Sequence, residues 1–476
     1  GVDEVLIEQA NRILEEEEPR QRVREQLSEA LESGDLQQIK EAIEEARRVE
    51  LDEEEYSKAT AWIEGEQRRQ NLKDNVARVL QEVEVVDATI DALRAAKAKL
   101  TEAINEALQG GVAEAHLTEA DNRRKKLHNQ MEDLKGSIRV FCRVRPISKK
   151  ELGQGDKSVT EAIDSMTLKV NEQQFQFDAV WTPGKQLDVF EDCKDLVQSA
   201  VDGYNVTMFA YGQTGAGKTF TMYGVPGEEG TAPRTIGEIF RVIEQNRERF
   251  NFTVMGSMLE LYRNEIYDLL DRSNPKAKRK AEKKKLTIRQ DKAGAVYVES
   301  LIEETCEAKQ ELSDLLSRGN AQRTVAATLM NSESSRSHLV LIIKIVSVNK
   351  ETKTQLQGKM LIVDLAGSER LKKSGAEGDM AKEAIEINKS LTALGDVIQS
   401  LTQRDRKPPY RDHKLTQLMQ DSLGGSAKTL MFVNCSPASS NVDETINALR
   451  WAARTKSVTN NPNAKTPQTP QTPQTP

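Results

Sequence analysis

The 476-residue chain is poor in cysteine, histidine and aromatic residues, and it has no long apolar run. Its four cysteines, Cys142, Cys193, Cys306 and Cys435, lie far apart with no C-x-x-C pair. That spacing argues against a disulfide framework and reads as reduced core thiols. His116, His128, His338 and His413 are unclustered, so a zinc site has no ligand set. No run of about 18 apolar residues is present, and the first residues are acidic rather than leader-like. The expectation is a soluble, cytoplasmic protein. A net charge of −7 argues against a uniformly basic nucleic-acid binder, so an anionic partner has to meet local patches.

What is present changes character along the chain. Residues 1–137 are rich in Glu, Ala, Gln, Arg and Leu, with no proline between Pro19 and Pro146. This is helical composition. Leu31 to Asp35 interrupts an apolar series that resumes at Leu36, Ile39, Ile43 and Ala46, which predicts one helix ending near Gly34 and a second capped there. Val79, Val83, Val86, Ile90, Leu93, Leu100, Ile104 and Ala107 follow a 4-3 spacing, the pattern of a coiled-coil seam or of one face of a long helix. Gly110-Gly111 ends it. Ala42 to Ala46 with Ala59 also matches Ala103 to Ala107 with Ala120 in spacing, a weak internal echo. Residues 1–110 are therefore expected to form hairpins or a coiled coil, and 111–137 a further helix, with a homodimer through helices 79–138 as one outcome.

From Ile138 short β-rich runs alternate with helical ones. Strands are predicted at Ile138 to Cys142, Thr253 to Leu259, Leu339 to Val348, Lys359 to Asp364 and Thr429 to Cys435. Helices are predicted at Val189 to Val201, Arg234 to Arg249, Cys306 to Gly319 and Asp443 to Thr455. The alternation indicates an α/β domain over 138–459 with a buried, mostly parallel or mixed sheet flanked by helices. Residues 460–476 become Asn-Asn-Pro-Asn and repeated Thr-Pro-Gln, a low-complexity tail.

One segment of this domain carries recognisable chemistry. Gly212, Gly217, Lys218 and Thr219 fit G-x-x-x-x-G-K-[ST], after the apolar run Val206 to Ala210 and before a helical stretch. In such a loop backbone N–H groups wrap phosphates, the lysine neutralises them and the hydroxyl holds Mg2+. Nucleotide hydrolysis is the leading reading. Ile362 to Arg370 places Asp364 at the end of an apolar strand, where it could orient Mg2+ through water, with Gly367 in reach of a terminal phosphate. Asn331 to His338 packs hydroxyls, an arginine and a histidine into one turn before another strand.

Gly212 to Thr219, Asn331 to His338 and Asp364 to Glu369 resemble the phosphate loop, switch I and switch II of the kinesin motor domain, in the same order. The similarity covers about residues 138–459. It includes Arg143 to Pro146, Leu261 to Leu270, Asn388 to Gly395 and Pro409 to Leu415. The resemblance implies a P-loop NTPase fold of kinesin type, with ATP or ADP and Mg2+ bound. It assigns Gln213, Thr214, Gly215, Ala216, Gly217, Lys218, Thr219 and Phe220 to the nucleotide, with Arg143 and Pro146 beside the adenine and Arg145 in the same set. Thr219, Ser335 and Asp364 would serve the metal. Gly367 would meet the γ-phosphate, Arg336 would pair with Glu369, and Glu369 would move the proton through a water relay. Phe220 stands where many motors have His or Tyr, and Asp412 where Asn is usual.

The implied track is the microtubule, whose acidic surface calls for basic patches. The densest one comprises Lys276, Lys278, Arg279, Lys280, Lys283, Lys284 and Lys285. Lys372, Lys373, Lys389, Arg406, Lys407, Arg411, His413 and Lys414 form a second set. No nucleic acid or membrane is expected as a partner. The helical region precedes the motor and joins it at Leu134 to Val140 almost without a linker, as in the C-terminal-motor kinesin-14 group, which implies a minus-end motor on the cytoskeleton. An ATP-dependent crosslinker is the alternative. Val197 to Val206 and Lys428 to Asn434 resemble the calmodulin-binding kinesins of plants and algae, but the Thr-Pro-Gln tail is neither basic nor amphipathic, so calmodulin is not expected as a partner.

Overall fold

The computed structural model describes residues 4–271, 286–291, 294–330, 334–369, 379–403 and 407–460. They fall into two compact units, Gly1–Leu127 and His128–Pro476.

The first unit is helical: α1 (Glu4–Ser33), α2 (Leu36–Arg48), α3 (Glu53–Glu82) and α4 (Ile90–Gln109), followed by α5 (Thr118–Lys135), which crosses into the second unit. Gly34, at φ +66°, turns the chain out of α1. The Asp35 carboxylate then accepts Gln37 N and Gln38 N at 2.8 and 3.0 Å, capping α2 as the sequence predicts. Val23, Leu27, Ile39, Ile43, Ala46, Leu51 and Ala59 bury a small core among the first three helices.

The 4-3 series is not one seam. It breaks between α3 and α4, which pack on each other as a hairpin. The cause lies in Val83 to Thr89, where three valines and an aspartate lower helix propensity and Thr89 caps the next helix by accepting Ala92 N at 3.3 Å. The internal echo has a structural counterpart. Leu51 N bonds to Ala46 O and Val112 N to Ala107 O, at 3.0 and 2.9 Å, and the preceding Glu50 and Gly111 both have positive φ, 54° and 80°. The same helix-ending turn occurs twice.

The second unit begins with the last turns of α5 and continues into β1 (Arg139–Val144) and α6 (Lys149–Gly153). A small antiparallel sheet, β2 (Thr160–Ala162), β3 (Thr167–Val170) and β4 (Gln173–Gln176), precedes β5 (Ala179–Trp181). Next come α7 (Gln186–Glu191), α8 (Asp195–Val201), β6 (Asn205–Tyr211), α9 (Lys218–Met222), the hairpin β7 (Gly224–Val225) with β8 (Glu228–Glu229), and α10 (Thr231–Asn246). The strands β9 (Phe250–Tyr262) and β10 (Glu265–Asp268) are followed by the hairpin β11 (Thr287–Gln290) with β12 (Val296–Glu299) and by β13 (Glu304–Cys306). The chain ends with α11 (Lys309–Met330), β14 (His338–Asn349), β15 (Gln355–Asp364), α12 (Asp379–Thr402), α13 (Lys414–Leu418), β16 (Lys428–Cys435) and α14 (Val442–Lys456).

The central sheet runs β10-β9-β14-β15-β6-β16-β1-β5, with β13 also on β9. It is mixed: β15, β6, β16, β1 and β5 pair in parallel, and β9, β14 and β15 in antiparallel fashion. Burial on both faces explains its apolar strands. Val197, Ile236, Ile239, Leu312 and Leu315 from α8, α10 and α11 cover one face. Leu394, Val397, Leu415, Leu449 and Ala452 from α12, α13 and α14 cover the other. The helix predicted over Val189 to Val201 is two helices, because the chain tightens where Cys193 N bonds to Phe190 O at 2.9 Å. All four cysteines are free and buried.

The end of the second unit returns to its beginning. Ile138 N donates to Val458 O at 3.2 Å and Asn460 N to Gly136 O at 2.7 Å. Asn460, placed by composition at the start of the tail, is only 5 % exposed.

Candidate active site

The parallel strands β15, β6 and β16 end side by side, and the loop after β6 opens at that edge. Gly212, Gly215 and Gly217 have φ of 148°, 76° and 100°, backbone geometry that side chains resist. A Cβ on Gly212 would lie 2.2 Å from Asn434 O, so β16 forbids any larger residue there. Thr214, Gly215 and Thr219 are exposed at the rim, while Ala216 and Lys218 are buried beneath it.

Lys218 Nζ donates to Gly212 O and Gln213 O at 2.8 and 3.0 Å. Burial lowers its pKa, opposed by the charges of Asp364 and Glu369. A cation held under a glycine-lined rim is suited to phosphate oxygens. Thr219 Oγ1 donates to Asp364 Oδ2 at 2.7 Å. Asp364 Oδ1 is buried with no hydrogen-bond partner among the described residues. A hydroxyl and a carboxylate with a spare buried oxygen fit Mg2+, an oxygen-seeking ion that keeps some of its waters.

Both sensor segments reach this loop. Gly367 N donates to Ser335 O at 2.9 Å and Ser368 N to Gly212 O at 3.1 Å. Glu369 accepts Thr214 N at 2.7 Å and Thr214 Oγ1 at 2.6 Å. A Cβ on Gly367 would meet Thr214 Oγ1 at 2.2 Å and Glu369 Oε2 at 2.3 Å, so a larger residue there would displace the Thr214–Glu369 contact. Arg336 sits in the turn Ser334–Arg336, beside Ser335. Leu339 of β14 pairs with Asp364 of β15, so the two segments spring from one ladder.

Arg143 lies behind the loop, 6 % exposed. Its guanidinium donates to Gln186 Oε1, Thr221 Oγ1 and Gly184 O at 2.8, 3.0 and 2.7 Å, and stands 5.1 Å from the Phe220 ring centroid. Burial brings its pKa down to about 10. Its contacts brace the helix that follows the loop. Arg145 donates to Gly215 O at 2.7 Å, pairs with Glu151 at 2.5 Å, and also donates to Pro146 O at 2.8 Å and Ser436 Oγ at 3.0 Å. Its hydrogen bond to Glu151 holds that carboxyl well below the usual range, against burial.

Sequence reasoning missed a buried ionic cluster behind Asp364. Arg323 of α11 donates to Ser337 O and Oγ, both at 3.1 Å, and stands 3.4 Å from Glu260 and 3.8 Å from Asp364. Ser337 Oγ donates to Glu260 Oε1 at 2.6 Å. The available signal was Glu260 itself, a lone charge inside the apolar strand β9.

Lys276, Lys278, Arg279, Lys280, Lys283, Lys284, Lys285, Lys372, Lys373 and Arg406 lie outside the described residues. Lys407 and Arg411 are exposed, Lys389 is 3.7 Å from Glu386, and Lys414 is 3.2 Å from Glu265. His413 is a correction: it is 2 % exposed, its Nδ1 accepts Leu415 N at 3.1 Å to cap α13, and burial takes its pKa down to about 4. A buried neutral imidazole is not a surface cation.

The kinesin motor domain family matches residues 143–458. Kinesin-like protein KIN-14E of Arabidopsis thaliana is 43 % identical over 424 residues, 87 % of this chain and 33 % of that protein. KIN-14I of Oryza sativa subsp. japonica is 49 % identical over 343 residues, 71 % of this chain and 27 % of that protein. The chain thus spans about a third of the length of these curated relatives. A solved structure of a fast kinesin superposes with a TM-score of 0.65 at 40 % identity, covering 69 % of this chain and 94 % of the other.

Proposed function

Since this chain belongs to the kinesin family, with a motor domain of the kinesin-14 type, we propose that it is a microtubule-stimulated ATP hydrolase and minus-end-directed motor. The observation that carries the reading is the meeting of both switches at one loop: Gly367 N on Ser335 O, and Glu369 on Thr214. Residues so linked respond together to a terminal phosphate. Lys218 and the loop N–H groups would hold the phosphates, and Thr219 and Asp364 would hold Mg2+, which would supply neutralisation of charge on the phosphoryl group. Glu369 orients the attacking water and relays its proton, with Arg336 supporting it from switch I. Closing both segments excludes bulk water from that reaction.

The order of parts in the chain supports the minus-end direction. The helix α5 precedes β1 and enters it through Gly136 and Ser137, so a change of grip in the motor tilts a helix on its N-terminal side. Finer placement among the calmodulin-binding kinesins rests on Val197 to Val206 and Lys428 to Asn434.

A crosslinker needs a second surface that holds an acidic filament. Residues 1–127 carry 31 Asp and Glu against 19 Lys and Arg, a net charge of −12, whereas residues 128–476 carry +5. Like charges repel, so residues 1–127 are poorly suited to be that surface. Self-association through helices 79–138 would use the separate faces of α4 and α5. Polarity-marked gliding, run beside ATP turnover with and without microtubules, tests the proposal. Minus-end-leading movement with stimulated turnover is expected, and binding and turnover without movement would select the crosslinker.

A further inference from the structure

Asn460 is held at both its main chain and its side chain. Its Oδ1 accepts Gly424 N at 2.7 Å. Its Nδ2 faces Ser422 O, Ala427 O and Thr429 Oγ1 at 2.8, 2.7 and 3.1 Å. Its backbone N–H donates to Gly136 O at 2.7 Å, where the chain passes from α5 towards β1, and the bridge between Ser137 and Thr459 extends this pairing. One asparagine therefore grips the helix exit with its backbone and the 422–429 turn with its side chain.

That turn belongs to a larger buried polar chain. Ser422 Oγ lies 2.7 Å from Thr207 Oγ1 on β6, the strand that delivers the phosphate loop. Ser422 Oγ is also 3.4 Å from the carboxylate of Asp421, whose Oδ2 pairs with Lys359 Nζ of β15 at 2.5 Å. Lys359 Nζ and Val296 N complete the set: the lysine donates to Val296 O at 3.0 Å, and Val296 N donates to Asp421 Oδ2 at 3.1 Å. The strands β6 and β15 end at Tyr211 and Asp364, and β12 begins at Val296. Hydrogen bonds in a water-poor interior are directional and costly to leave half-made, so a connected set tends to keep one arrangement or rearrange together.

We propose that Asn460 is the positioning residue of the neck, fixing the exit of α5 against the same polar chain that touches β6 and β15. This rests on reading the protein as a motor whose neck tilts. Without the Asn460 side chain, Gly424 N and Ala427 O lose this partner, Ser422 O is left with Thr429 Oγ1 at 2.6 Å, and the register at Gly136 loosens. The nucleotide loop keeps all its own contacts. ATP turnover then continues with a poorly directed neck.

The test uses the full chain with Asn460→Ala, and Asn460→Asp as a second, isosteric variant that accepts from Gly424 N but does not donate to Ser422 O and Ala427 O. Microtubule-stimulated turnover, gliding velocity and the distance distribution between spin labels at the exposed positions Gln130 and Glu172 are read together. Turnover within about twofold of the parent is expected, with gliding slowed about fivefold or more and a broadened distance distribution. Parental velocity with an unchanged distribution overturns the inference. So does an equal loss of turnover and velocity in both variants, which marks a purely structural role. A parent chain that hydrolyses ATP on microtubules but never glides overturns the neck-tilt reading itself.

Discussion

His128 Nε2 stands 2.6 Å from Asp178 Oδ1, and this contact ties the last turns of α5 to the motor sheet. Asp178, 1 % exposed, also accepts Lys456 Nζ at 2.8 Å and Val140 N at 2.7 Å. Burial alone would raise its pKa, but His128 and Lys456 together outweigh that and hold the carboxyl below its usual range. One carboxylate thus joins α5, β1 and the last turn of α14.

Asp178→Asn removes the charge that Lys456 and His128 share. A buried pair broken on one side costs about 3 kcal/mol or more, so denaturant unfolding of the motor should shift to a clearly lower midpoint. His128→Ala, which leaves Lys456 and Val140 in place, should cost less than Asp178→Asn. Equal midpoints for Asp178→Asn and parent would show that the carboxylate holds nothing.

Glu369→Ala should bind ATP yet lose hydrolysis. Proton-relay groups contribute about 100-fold or more, and Glu369 hydrogen-bonds the loop at Thr214. Equilibrium nucleotide binding and single-turnover phosphate release, measured on one preparation, separate the two effects. Near-parental turnover would remove Glu369 from the chemistry.

Gly212→Ala should weaken nucleotide binding about tenfold or more while leaving the protein folded, since its Cβ would be driven to 2.2 Å from Asn434 O and the strained loop would move. A nucleotide titration beside a circular dichroism melt decides the matter. Parental affinity would mean that β16 yields instead.

Acid should destabilise the motor from about pH 6.5 downward. Burial, helped by the charges of His413, Arg323 and Lys218, takes His338 down to about 3, and burial takes His413 to about 4. The unfolded chain therefore takes up these protons first. The stability contribution is whole above 6.5 and is lost as pH falls towards the folded values, by about 1.4 kcal/mol per pH unit for each imidazole. His338 Nδ1 accepts Ala366 N at 3.0 Å and its Nε2 lies 2.7 Å from Ser390 Oγ, so its neutral form is built into switch II. Melting points between pH 8 and 5 should fall only below 6.5. His413→Asn, which keeps a capping oxygen, should shallow that fall, and an identical slope would exonerate His413.

The nucleotide loop and both switches were legible because phosphate chemistry dictates residue type and spacing within a few positions. The sheet was legible from runs such as Leu339 to Val348. The break at Val83 to Thr89 was hidden because its valines preserve the apolar period while opposing a helix. His413 read as a surface group in a basic motif, and only packing shows it enclosed. The partnership of Arg323 with Ser337 and Glu260 joins separate elements, so no local pattern announces it. Asn460 stands in tail-like composition, and its burial depends on a turn some thirty residues earlier.

The ladder between β14 and β15 runs from Leu339 opposite Asp364 to Val348 opposite Gln355. Both sensors grow from its first rung, and its far end closes through the exposed turn around Glu351 and Thr352. That tip offers a handle remote from the chemistry: a dye or short peptide placed there would ride on the beam that carries both sensors, and could report its motion without intruding on the reaction.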